Sequence, residues 1–166
     1  GVFCGAPNSI CERLSVSSNG GSGIEAWNST VRDCQAQLNN SLGGISALSS
    51  TVSGCLVQSS AVSGIFVFGP GSQIIGNTCI GNNTSLSASD AGIYINDSNN
   101  RIEGNHVTAS GSAGIRVNDS FFTNNVVIKN TVAGNGANNY LGTNFNDFGP
   151  IGTAAASTSP WANISH

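Results

Sequence analysis

The sequence predicts an all-β chain folded as a parallel β-helix, a β-solenoid of about six to seven coils of 20–28 residues. Three observations predict it: a Gly-Ile pair that recurs at about twenty-residue intervals, a second apolar motif at a fixed place in each repeat, and a composition that works against helices. The pairs are Gly23-Ile24, Gly44-Ile45, Gly64-Ile65, Gly92-Ile93 and Gly114-Ile115, spaced 21, 20, 28 and 22 residues apart, with Gly1-Val2 lying 22 before the first. A fixed period of this length is the signature of stacked repeats.

Each pair opens a run in which apolar residues alternate: Ile24 and Ala26, Ile45 and Ala47, Ile65 and Val67, Ile93 and Ile95, Ile115 and Val117. Period two is the strand signature and turns these side chains to one interior. Further along comes apolar-x-x-(Asn or Cys)-x-apolar, read as one second strand: Val31 to Ala36, Val52 to Val57, Ile74 to Cys79, Ile102 to Val107 and Val127 to Val132. Cys11 to Val16 is a weaker first copy. Two strands per repeat are therefore expected, in six repeats.

The chain has 25 Ser, 22 Gly and 22 Asn in 166 residues, a density that disfavours helices. Twenty residues are also too few for a strand plus a packed helix, which leaves strands and tight corners stacked at about 4.8 Å, a column roughly 30 Å tall. Asn77, Asn105 and Asn130 share one register, where side-chain amides can form a ladder across a sharp turn. Cys34 and Cys55 fill that register one coil apart, as small buried residues or as a disulfide, because neighbouring rungs fall near the allowed Cα separation. After the coils at 1–142, residues 143–166 are expected to cap the column. Asn139-Tyr140-Leu141 reads as a degraded strand opening, and Trp161 as a plug of the core.

Charged residues make up only 8% of the chain, and the net charge is −3. Five dispersed basic residues give no positive stripe for phosphate backbones, so nucleic acid is excluded as a partner. No apolar run approaches the ~18 residues of a membrane span. The 39% hydrophobic content, rich in Ile and Val, argues for a packed interior rather than disorder.

The runs Thr51-Val-Ser-Gly-Cys55, Gly76-Asn77-Thr-Cys79, Asn100-Arg-Ile-Glu-Gly-Asn105-His-Val and the closing Gly149-Pro-Ile-Gly through Ser159-Pro160-Trp161-Ala-Asn163 resemble bacterial right-handed parallel β-helix repeat proteins of the pectate-lyase-like superfamily. More narrowly, they resemble the C-terminal part of a secreted group with no assigned activity. The resemblance implies a right-handed parallel β-helix and a secreted or cell-surface location. It says little of activity, because this fold hosts lyases, hydrolases, adhesins, tailspikes and structural solenoids. Members of the group carry an N-terminal cap, whereas here Gly1 already stands in register as a coil opening. The expectation is that a preceding segment was removed or that a partner covers the open first coil.

No catalytic residue and no cofactor or metal site is assigned. Polysaccharide lyases of the superfamily combine a cluster of acidic Ca²⁺ ligands with a basic residue that takes the proton α to a uronate. Here only Asp97 and Asp119 share a register, and Asn-Asp-Ser at both places reads as turn chemistry without a third ligand. Glu12, Glu25, Asp33, Asp90, Glu103 and Asp147 lie at different repeat positions and make no glycosidase pair. His106 falls between inward residues and should face solvent, and no nucleophile elbow accompanies it.

The informative surface is the outward side of the first strand. Phe3, Trp27, Leu48, Phe66, Phe68 and Tyr94 line it, with Arg116 at its end, as an apolar stripe of the kind that usually binds something. Three readings stand side by side. The stripe can bury against another copy as an oligomer or filament interface, stack on the sugar rings of a polysaccharide with Arg116 as a polar contact, or lie beneath the chain's own insertion or tail. The expected role is an extracellular structural or interaction solenoid that self-associates through its open N-terminal coil or its aromatic face. A carbohydrate-binding or lyase-like protein is the alternative. The long repeat adds about six residues within Ile80 to Ala91, and Phe121-Phe122 marks a smaller bulge.

Overall fold

The computed structural model of the chain describes residues 1–118, 121–142, 144 and 146–166. Among these residues every regular element is a strand, and the strands stack into three parallel sheets wound as one solenoid. Sheet A holds Val2–Cys4, Ile24–Trp27, Gly43–Leu48, Ser63–Val67, Ala91–Ile95, Ala113–Val117 and Asn138–Leu141. Sheet B starts at Ile10–Glu12 and ends at Asp147–Phe148, and sheet C starts at Ser15–Ser17.

The coil therefore has three strands, not the two read from the sequence. What reads as one second strand is broken at its centre: Thr51–Ser53 belongs to sheet B and Leu56–Gln58 to sheet C. The bend lies at the residue before the Asn or Cys, which takes a left-handed conformation in every coil. Arg13, Asp33, Gly54, Gly76, Gly104 and Lys129 have φ between 54° and 65°. A left-handed residue turns the chain through a tight corner, easily for glycine and at a cost of about 1–2 kcal/mol for the others. The other two corners use the same device, as at Asn28 and Ser49 between sheets A and B and at Leu38 and Ala109 between sheets C and A.

A Ser, Asn or Cys follows most of these left-handed residues and bonds to the next coil; Leu14 follows Arg13 and donates its backbone N–H to Cys34 Sγ. Between sheets B and C, the backbone N–H of Cys55 donates to Asn77 Oδ1 (3.0 Å), that of Asn77 to Asn105 (2.9 Å), that of Asn105 to Asn130 (2.9 Å) and that of Asn130 to Asn163 (3.0 Å). A second ladder runs through Ser29, Ser50, Ser72, Asn100, Asn125 and Asn146. The third joins Asn19 to Asn39, Ser60 to Asn82 and Ser110 to Asn135. Because corners cannot use the sheets' own ladder bonds, these side chains satisfy amides that would otherwise be buried without a partner.

The inward residues are as the alternation predicts. Ile24, Ile45, Ile65, Ile93 and Ile115, with Ala26, Ala47, Val67, Ile95 and Val117, are buried in one continuous core. Each Ile or Val so enclosed is worth about 1.5–3 kcal/mol relative to exposure. The glycine before each Ile has a steric reason. A Cβ on Gly23, Gly64 or Gly92 would lie 2.6, 2.5 or 2.9 Å from the carbonyl oxygen of the equivalent glycine one coil on. Only a residue without a Cβ lets the coils approach to strand spacing there.

The C-terminal end departs from the sequence reading in one respect. Trp161 is half-exposed, with the Lys129 ammonium 4.6 Å from its ring centroid, and does not plug the core. Tyr140 and Phe148 pack against the core instead, edge to face at 6.2 Å, and the Tyr140 hydroxyl donates to the Asn130 carbonyl. Burial raises the Tyr140 phenol above its ordinary range. Asn163 then inserts its strand, Asn163–Ser165, between Thr131–Ala133 and Ile151–Gly152 of sheet C.

Candidate functional site on the outer face of sheet A

Alternation in sheet A brings the predicted stripe together in two columns. Strand register aligns Phe3, Glu25, Ser46, Phe66, Tyr94, Arg116 and Leu141 in one column, one residue per coil. Trp27 and Leu48 pair beside it, with Phe68 on the next rung. Phe3 packs edge to face on Trp27 at 5.2 Å, Phe66 stacks on Phe68 at 5.7 Å, and Phe66 meets Tyr94 at 5.5 Å. The Arg116 guanidinium lies 5.3 Å from the Tyr94 ring centroid.

Exposure divides the stripe. Phe3 and Trp27 are 59% and 41% exposed, while Leu48, Phe66, Phe68, Tyr94 and Arg116 are half-buried by one another. Ser46 faces outward yet is buried, and its hydroxyl lies 3.1 Å from that of Ser22. Among the described residues, Glu25 and Arg116 are the charged groups on the strands of this sheet, and Glu25 forms no ion pair.

The long insertion, 81–90, reaches the stripe at Arg116. Asn83 organises it, its amide donating to the Ser87 carbonyl and its Oδ1 accepting from the Ser87 N–H. Arg116 Nη1 donates to the Ala88 carbonyl and so ties the insertion to the end of the stripe.

A second depression, which sequence reasoning missed, lies on the outer face of sheet B. It is a hollow of about 490 Å³ between Arg101, Val126, Asp147 and Trp161, floored partly by Gly149. Beside it Glu103 accepts from Lys129 Nζ (2.8 Å) and Arg101 Nε (2.7 Å), and these two cations, Lys129 first, hold its carboxyl below the ordinary range. A carboxyl depressed in the folded state contributes stability above the ordinary carboxylate range and loses it as pH falls through the folded value. Glu103→Gln is accordingly expected to lower the urea midpoint slightly at neutral pH, and the gap to the wild type should close in acid.

The five cysteines are free thiols, so the Cys34–Cys55 disulfide does not form; both sulfurs instead lie near carbonyls, that of Cys34 at 3.2 Å from Arg32 O. Burial pushes the Cys55 thiol up to about 12 and raises that of Cys79 as well, which keeps both protonated and unreactive. His106 is exposed, as its outward position predicts. Asp97 accepts from the Ser98 N–H in a turn, and Asp119 lies outside the described residues. Among the described residues no group of three or more His, Cys, Asp or Glu side chains is placed to hold a metal ion, and no helix is long and apolar enough to cross a membrane. What the sheet A face offers chemically is stacking, apolar contact and one charge of each sign.

Neither the curated proteins nor the solved structures contain a match to the chain. A protein-family comparison matches residues 1–149 to the family described as right handed beta helix region. With nine-tenths of its length in that match, and with the parallel three-sheet coil described above, the chain belongs to the right-handed β-helix family.

Proposed function

We propose that this protein is a secreted or cell-surface structural solenoid that self-associates through the outer face of sheet A. The observation that carries this reading is the apolar stripe from Phe3 and Trp27 through Leu48, Phe68 and Phe66 to Tyr94, with large aromatics left 59% and 41% exposed at one end. Aromatic residues of this kind are enriched where one protein surface meets another, and a flat parallel sheet presents them on a rigid plane. The low charge of the chain supports the same reading, since little repulsion opposes contact between copies.

Sedimentation velocity over a wide concentration range tests it. Wild-type protein should convert from one chain to a larger species as concentration rises. Phe66→Thr with Tyr94→Thr, which keeps β-forming residues in place, should shift that conversion at least tenfold higher in concentration with an unchanged circular dichroism spectrum. Wild type that stays monomeric throughout would sink the proposal.

Polysaccharide binding is the second reading, favoured by the guanidinium of Arg116 over the Tyr94 ring and by the hollow beside Trp161. Titration with oligogalacturonides, read by tryptophan fluorescence, separates the two. Saturable binding by a protein that remains monomeric supports the sugar reading.

A further inference from the structure

The central column of the sheet A face is complementary to itself when reversed. Its seven rungs run Phe3, Glu25, Ser46, Phe66, Tyr94, Arg116, Leu141, with Phe66 in the middle. Turned end for end about Phe66, the column sets Glu25 against Arg116, the bulky Tyr94 over the low rung where Ser46 is buried, Phe3 against Leu141 and Phe66 against itself. We infer that two copies pair face to face through sheet A with their solenoid axes antiparallel, related by a two-fold axis that runs along the strand direction through the Phe66 rung. The inference rests on the self-association reading and adds its geometry.

Symmetry makes the arrangement testable. In a two-fold interface, if residue i of one copy meets j of the other, then j meets i. Each copy therefore contributes one Glu25 and one Arg116, and the dimer holds two ion pairs, one at either end of the aromatic centre. Four rungs separate Glu25 from Arg116, about 19 Å at strand spacing, so neither group can satisfy the other within one chain. With the axes parallel and in register, Glu25 would instead face Glu25 and Arg116 would face Arg116, and like charges set together at an interface are strongly disfavoured. The charges thus select the antiparallel form, and the apolar rungs between them are common to both.

The second column accepts the same operation. Phe68 again meets itself, Leu48 meets Asn96, and Trp27 meets Asn118, the rungs being equivalent by the backbone bonds of Phe68 to Ala47, Asn96 to Val67 and Asn118 to Ile95. An indole N–H opposite a carboxamide has an acceptor available, and Asn96, which faces Leu48, accepts from the Asn118 amide and the Tyr94 hydroxyl of its own chain.

Charge reversal tests the register. Glu25→Arg and Arg116→Glu should each weaken dimerisation about tenfold or more, because each places two like-charged pairs in the interface, and the double variant should return to within about threefold of the wild type. Sedimentation velocity supplies the constants. Raising salt should weaken the wild-type dimer and leave Glu25→Gln nearly unmoved, a readout that holds even if loss of the Arg116 contact to Ala88 unfolds the Arg116→Glu chain. A wild type that dimerises while Glu25→Arg leaves its affinity unchanged would overturn the antiparallel register and spare the self-association reading. A wild type that never dimerises would overturn both.

Discussion

Asn105→Ala is expected to destabilise the solenoid by about 3 kcal/mol or more, seen as a lower midpoint in urea followed by circular dichroism. Asn105 is buried at the centre of the ladder between sheets B and C, with two ladder residues on one side and two on the other. Its Oδ1 accepts from both the backbone N–H and the side-chain amide of Asn77, while its own amide donates to the Ile74 carbonyl and to Asn130 Oδ1. Truncation takes a partner from four polar groups at once in a place closed to solvent; Asn130 Oδ1 keeps the Asn105 backbone N–H and the Asn77 amide keeps the Val52 carbonyl, while the Asn77 backbone N–H loses its ladder acceptor. Each buried group left unmade costs about 1–3 kcal/mol, and the enclosed site gives little room for recovery. Asn105→Asp, which keeps one acceptor but turns a carboxylate oxygen toward the Ile74 carbonyl and Asn130 Oδ1, should recover nothing at neutral pH. An unchanged midpoint in the alanine variant would show that the ladder contributes nothing.

Gly64→Ala is expected to cost about 1–3 kcal/mol or more, although alanine is elsewhere the milder residue. The added Cβ would sit 2.5 Å from the Gly92 carbonyl oxygen and 2.7 Å from Asn82 Nδ2. One of these is backbone of the next coil, so relief requires the two coils to separate. Gly21→Ala is the matched control. Nothing lies within 4 Å of a Cβ there, and the substitution should be neutral or stabilise by up to about 1 kcal/mol through the unfolded chain. Equal effects at both positions would show that close approach at Gly64 is unimportant.

Much of this architecture was legible in the sequence because stacking repeats the same constraint in coil after coil. Period-two alternation gave the inward pairs of sheet A from Ile24 and Ala26 to Ile115 and Val117 but not Ala91 and Ala113, and the Asn register gave one ladder. The third strand was hidden because the bend that creates it is set by backbone conformation, and the residues holding that conformation, Arg13, Asp33, Gly54 and Lys129, share no chemistry. The ladder between sheets C and A did leave a trace: Asn39, Ser60, Asn82, Ser110 and Asn135 each fall five residues after Cys34, Cys55, Asn77, Asn105 and Asn130. Apolar character alone does not decide the place of Trp161: Asn163 sets the final strand and leaves the indole outside. The outward stripe followed from the same alternation. The burial of Ser46 and the grip of Arg116 on the insertion depend on residues distant in sequence, which no local pattern encodes.

The corner ladders also have a direction. At each step an earlier coil supplies the N–H and a later coil supplies the oxygen, from Cys55 through Asn77, Asn105 and Asn130 to Asn163. A coil is therefore not finished when its own residues are in place, since its corner amides wait for side chains that arrive one turn later. During synthesis from the N-terminus, ordered structure should trail the emerging chain by about a coil, and Asn163 is the residue that ends the wait.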